Sequence, residues 1–213
     1  MAKNEKDRKL TAAEERRLTI FESKKKTLKK RGYKETELTI GIVKANIIAL
    51  IMAVPISVVA IALFFLLNRS FYVDTEHIVR DNIIFFVSIF LLIVVHELVH
   101  GITWAVMSPN HFKDIEFGFM LEYLTPYCTC KEPLRKGPYI MGALMPLIVL
   151  GIIPLIVGIA TGSFFLLAVG IVMTATAAGD MMIVYNILKY KTDSKDVLIV
   201  DHPTQGGSVV FER

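Results

Sequence analysis

A chain of 213 residues that is 54% hydrophobic is too apolar for an ordinary water-soluble domain; such a domain is about 45–50% apolar even with glycine counted. The charges are also gathered into blocks, before Ala45, around Asn68–Asp81, around Lys113–Lys136 and after Lys189, with almost none between. A soluble core would interleave polar and apolar residues at period 3.6 or 2, so this pattern excludes a soluble enzyme and points to a bilayer. The net charge of +4 does not signal a nucleic-acid partner, because the basic residues crowd beside apolar spans, where membrane orientation accounts for them.

Residues 1–41 form a charged segment in which Ala12 to Lys30 reads as a helix, with Leu18, Phe21 and Leu28 as sparse apolar positions. Lys24-Lys25-Lys26 and Lys29-Lys30-Arg31 are expected to be a solvated arm that sets topology, with contact to anionic headgroups as the alternative. No cleavable signal peptide is expected, since the first apolar run begins only near Ile42.

Four apolar spans follow, at about 43–67, 82–107, 139–160 and 164–188. Each is long enough to cross about 30 Å of hydrocarbon as a helix. Pro55 lies within the first and Pro146 and Pro154 within the third; proline kinks a membrane helix without excluding it. Pro109 ends the second span by disfavouring helix in the residue before it. Between spans two and three, Ile115, Phe117 and Phe119 alternate with Glu116, Gly118 and Met120, which reads as a short β-hairpin or re-entrant loop. Residues 189–213 read as a polar, turn-rich tail. The expected fold is therefore an all-α integral membrane protein with a 42–188 core of four spans and one hairpin.

Basic residues crowd the N-terminal segment, the 108–138 loop and the tail, whereas the other two connections hold only Arg69 and Arg80 between them. By the positive-inside rule both termini lie on the cytoplasmic side of a cell membrane. Cys128 and Cys130, one residue apart, match neither a disulfide framework nor a zinc ribbon and are expected to be unpaired thiols.

The chemistry is concentrated in span two, in His96-Glu97-Leu98-Val99-His100. On a helix this spacing stacks two imidazoles on one face, where both can bind one tetrahedral zinc. Glu97 sits beside the metal without ligating it, placed to take a proton from water activated there and to deliver it to a leaving amine. Three ionisable groups inside a span are costly unless they face partners or a cavity, and apolar sequence resumes after them at Ile102 and Trp104–Val106. A catalytic zinc needs a third protein ligand. Asp180, the single ionisable residue of span four, is the first choice, because it lies about 16 residues into a span that runs parallel to span two. Glu116, Glu122 and His111 remain as alternatives, whereas a metzincin-type third histidine is excluded by Val106. The site lies in the inner half of the bilayer. A substrate must reach it unwound or extended, and the strand-like Ile115–Met120 offers an edge for it.

Val95-His96-Glu97-Leu98-Val99-His100-Gly101, Lys136-Gly137-Pro138, the Pro146-containing span and Gly179-Asp180 together resemble the DUF3267 family of zincin peptidases over roughly residues 80–190. The chain is more distantly similar to the site-2-protease class of intramembrane metalloproteases. That resemblance implies His96, His100 and Asp180 as zinc ligands and Glu97 as the base. Here Asp180 follows Ala175-Thr176-Ala177-Ala178-Gly179, without the Asn-Pro pair or following glycine of the site-2 pattern. The compact form and the resemblance suggest a bacterial source.

The leading expectation is a Zn2+-dependent intramembrane peptidase acting on membrane-protein or juxtamembrane peptide substrates within the bilayer. The alternatives are a metal-binding or transport protein and a catalytically idle scaffold. Glu97 favours the peptidase, since metal transport needs no base there, and the absence of an internal repeat disfavours a self-sufficient transporter.

Overall fold

The computed structural model describes residues 10–39, 41–68, 76–120 and 125–213. Its first element is helix α1 (Ala12–Lys30), which begins at a reciprocal cap. The Thr11 hydroxyl accepts from the Glu14 backbone, and the Glu14 carboxylate accepts from the Thr11 backbone. Strand β1 (Lys34–Thr39) follows and leads into α2 (Ile42–Leu67).

Helix α3 (Ile78–Met107) is the longest element and carries the histidine motif. After a short 3-10 turn come strands β2 (Ile115–Met120) and β3 (Thr125–Cys130), paired antiparallel as the expected hairpin. A two-residue strand β4 (Leu134–Arg135) then leads into α4 (Lys136–Pro146), a π-helical turn (Leu147–Ile152) and α5 (Ile153–Thr161). Helices α6 (Phe164–Thr176) and α7 (Ala178–Lys189) are bent by 47° at Ala177. The hydroxyl of Thr176 bonds the Met173 carbonyl and shares it with the Ala177 N–H, a side-chain bond that weakens continuation of the helix. Strands β5 (Val197–Asp201) and β6 (Gly207–Glu212) complete the fold.

Among the described residues, Ile78–Met107 and Lys136–Thr161 are long and apolar enough to cross a membrane, and the bent α6–α7 pair qualifies if it forms one span. The described apolar part of α2, Ile51–Leu67, is shorter. Large apolar side chains such as Phe86, Phe90, Leu91 and Val106 are exposed along α3, which in water would be costly and in lipid is neutral. Helix α6 sits at the centre of this bundle. Its Leu167 packs with Ala60 and Phe64 of α2, and its Val169 and Met173 pack with Leu150 and the Phe85 face of α3.

The all-α expectation is corrected by a four-stranded antiparallel sheet in the order β1-β6-β5-β4, built from the two terminal segments and the approach to α4. The sheet is buried on both faces. Phe21 and Leu28 of α1 cover Val200, Val209 and Phe211 on one side. Ile199 and Val210 face the other way, into a core with Trp104, Tyr139 and Ile187. Burying a side chain of this size contributes about 1.5–3 kcal/mol, so the tail read as polar and turn-rich is a structural layer locked onto one end of the bundle. Ion pairs fasten α1: Lys25 and Lys29 reach Glu35 of β1 at 2.7 and 2.9 Å, and Lys24 pairs with Glu132 beside the hairpin. Half of the basic arm is thus committed to the fold rather than left free.

Candidate metal centre

The site is assembled from three helices and one strand. On α3, His96 and His100 lie one turn apart and both are buried. Asp180 enters from the first turn of α7, a position that the bend at Ala177 aims at α3 and where the helix dipole favours a carboxylate.

The ligating atoms converge. The His96 Nε2 atom lies 3.1 Å from Asp180 Oδ2 and 3.2 Å from His100 Nε2, and His100 Nε2 is 3.4 Å from Asp180 Oδ2. Ligands about 2.0–2.1 Å from a tetrahedral zinc stand about 3.3 Å apart, so this triangle has the dimensions of one face of such a tetrahedron. Two imidazoles and two carboxylates, Asp180 and Glu97, share a mostly buried space that a divalent cation would balance. The residues therefore fit zinc in number, chemistry and spacing, and they leave a fourth position open. Among the described residues this is the single group of histidine, cysteine and acidic side chains that could hold a metal.

The orientation of His100 has a cause legible in the chain. Proline lacks an N–H, so Pro146 leaves the carbonyl four residues earlier, that of Gly142, without its helical donor. The Leu147 N–H turns to Leu144 instead. The Gly142 carbonyl then accepts from His100 Nδ1 at 2.9 Å, which puts the proton on Nδ1 and leaves Nε2 bare toward the metal position. Helices α3 and α4 come this close because residue 142 is glycine: a Cβ there would lie 2.0 Å from Trp104 Nε1. Trp104 in turn stacks on His100, with ring centres 5.1 Å apart and planes 15° from parallel. His96 has no comparable anchor, since its buried Nδ1 has no hydrogen-bond partner among the described residues.

Glu97 points to the hairpin. The backbone N–H of Cys128 on β3 is within hydrogen-bond reach of its carboxylate. The strand register agrees, because the Lys131–Asp114 bond makes Glu116–Thr129 and Gly118–Tyr127 the bonded pairs and turns the Cys128 backbone outward. Gly101 permits the contact, as a Cβ there would meet the Phe117 ring at 2.3 Å and Cys128 Sγ at 3.2 Å. The strand lying along Glu97 is therefore β3, whereas the sequence pattern had singled out Ile115–Met120.

Of the alternative ligands, the described His111 and Glu116 do not join the cluster. His111 bonds the Ala105 carbonyl through Nδ1, Glu116 lies on β2, and Glu122 lies outside the described residues. Cys128 and Cys130 are free thiols, as expected. Burial pushes both thiols up, Cys130 to about 12, so neither is a thiolate at neutral pH. Sequence reasoning missed the Gly142 carbonyl, although a proline four residues after a glycine in span three was a readable signal for a freed acceptor.

A motif helix, a convergent carboxylate and an anchored histidine are features of zinc peptidases, and the sequence comparison agrees. The family DUF3267, described as "Putative zincin peptidase", matches residues 89–195, half of the chain. The chain belongs to this family. The matched segment contains the motif, the hairpin, α4 and Asp180. No curated protein and no solved structure matches the chain.

Proposed function

We propose that this DUF3267 member is a zinc-dependent peptidase embedded in the membrane, hydrolysing peptide bonds of membrane or juxtamembrane segments. The observation that carries this reading is the His96–His100–Asp180 triangle with Glu97 beside it and outside it. His96, His100 and Asp180 would hold the metal. Bound there, zinc would polarise the scissile carbonyl and bring the pKa of water to about 7.

Glu97 takes a proton from the attacking water and passes it to the leaving nitrogen as the C–N bond breaks, giving one carboxylate and one amine. The Cys128 backbone N–H, turned away from β2, lies on the side of the Glu97 carboxylate. A substrate segment would reach Glu97 extended, since chain unwound from a helix leaves its scissile peptide group free. The terminal sheet and α1 lie at one end of the bundle, and the excess of basic residues in these segments supports a cytoplasmic position for that end.

The test is hydrolysis in proteoliposomes. Single-pass membrane proteins reconstituted with the purified chain should be cut within or next to their spans, cleavage should stop on chelation, and added zinc should restore it. Cleavage that persists unchanged after complete metal removal would overturn the reading.

A further inference from the structure

The metal centre explains His96, His100, Glu97 and Asp180, but it makes no use of a half-buried carboxylate contributed by the terminal sheet. Asp201 is the last residue of β5 and lies beyond the family-matched segment. Its Oδ1 accepts from the Tyr139 hydroxyl of α4 at 2.5 Å, and its Oδ2 accepts from the Thr129 hydroxyl of β3 at 2.8 Å. Burial pushes its carboxyl up from the usual carboxylate range, against the hydroxyls that favour the charged form.

Each partner of Asp201 leads to one half of the metal centre. The Tyr139 ring packs on Trp104, 5.7 Å between centres, and the Tyr139 carbonyl accepts from Trp104 Nε1 at 3.2 Å. Trp104 stacks on His100, whose Nδ1 is held by Gly142 one turn along from Tyr139. Thr129 is next to Cys128, whose backbone N–H is turned toward Glu97. One carboxylate thus ties the helix that orients a metal ligand to the strand that lies beside the base.

We infer that Asp201 is a positioning residue for the metal centre, clamping Tyr139 and Thr129 so that His100 and Glu97 keep their mutual placement. The inference rests on the peptidase reading for its purpose, but its geometry is open to an independent test. A surface turn could end β5 with any polar residue. A half-buried carboxylate shared by two hydroxyls from different elements is costly to remove, because both hydroxyls then lose their acceptor.

The experiment uses the full-length protein in detergent, with cobalt as a zinc surrogate whose visible absorption reports coordination geometry. A Cys130→Ala background leaves Cys128 as the single thiol, and its labelling by N-ethylmaleimide reports release of the hairpin from α3. Asp201→Ala should weaken cobalt binding about tenfold or more, alter the absorption bands and speed Cys128 labelling. Tyr139→Phe should reproduce the cobalt effect and Thr129→Val the labelling effect, so the test survives if Asp201→Ala fails to fold. Asp201→Asn, which keeps an acceptor for Tyr139, should recover parental cobalt bands. Parental cobalt affinity and bands in Tyr139→Phe, together with parental labelling in Thr129→Val, would overturn the inference. If the parent takes up no cobalt, the peptidase reading fails, and the labelling rates of Asp201→Ala and Thr129→Val decide the clamp alone: faster supports it, unchanged overturns it.

Discussion

Replacing Glu97 by Gln should lower peptide hydrolysis by about 10²–10⁴-fold, the range that a positioned general base supplies, while metal content stays at the parental level. The separation follows from geometry. Glu97 is outside the His96–His100–Asp180 triangle, so the amide removes the proton acceptor without removing a ligand. An amide oxygen can still accept from the Cys128 N–H, so the hairpin should stay in place. Parallel loss of metal and activity in this variant would instead make Glu97 a ligand and break the assignment of roles.

Gly142→Val should be the most damaging single change away from the ionisable groups. The added atoms would fall 2.0–2.1 Å from Nε1 and Cδ1 of Trp104, so α4 must move away from α3. Overpacking of this kind costs about 1–3 kcal/mol. The same movement withdraws the Gly142 carbonyl from His100 Nδ1, and loss of such an outer partner typically weakens metal binding about 10–100-fold. Gly137→Ala on the same helix is the control, because nothing lies within 4 Å of its added atom. Thermal unfolding and cobalt titration of both variants check the expectation. Equal behaviour would show that the close approach of α3 and α4 does not set the histidine.

Much of this architecture was legible in the residues. The helix over Ala12–Lys30, the apolar segments, the hairpin after Pro109 and the matching depths of the histidines and Asp180 all follow from hydropathy blocks, turn residues and helical rise. The terminal sheet was not, for a physical reason. Strand β6 is buried on both faces, so Ser208-Val209-Val210-Phe211 shows no alternation to mark it as half-exposed. Strand β1, Lys34–Thr39, is an edge strand rich in charge and reads as a solvated linker until its partner β6 is known. Both segments are too short to signal a strand alone, and they pair across most of the chain length. The site was legible in its side chains and hidden in its backbone. No residue type announces that the Gly142 carbonyl will hold His100 or that the Cys128 backbone will lie beside Glu97, although Pro146 shows where an acceptor is set free.

The central claim, that His96, His100 and Asp180 hold one catalytic zinc, is tested most directly by the metal content of the purified protein beside His96→Ala, Glu97→Gln and Asp180→Asn. One zinc per chain is expected in the parent and in Glu97→Gln, with loss in His96→Ala and loss or marked weakening in Asp180→Asn. A parent chain that binds no metal after zinc is supplied, or a His96→Ala variant that binds it as the parent does, would contradict the account.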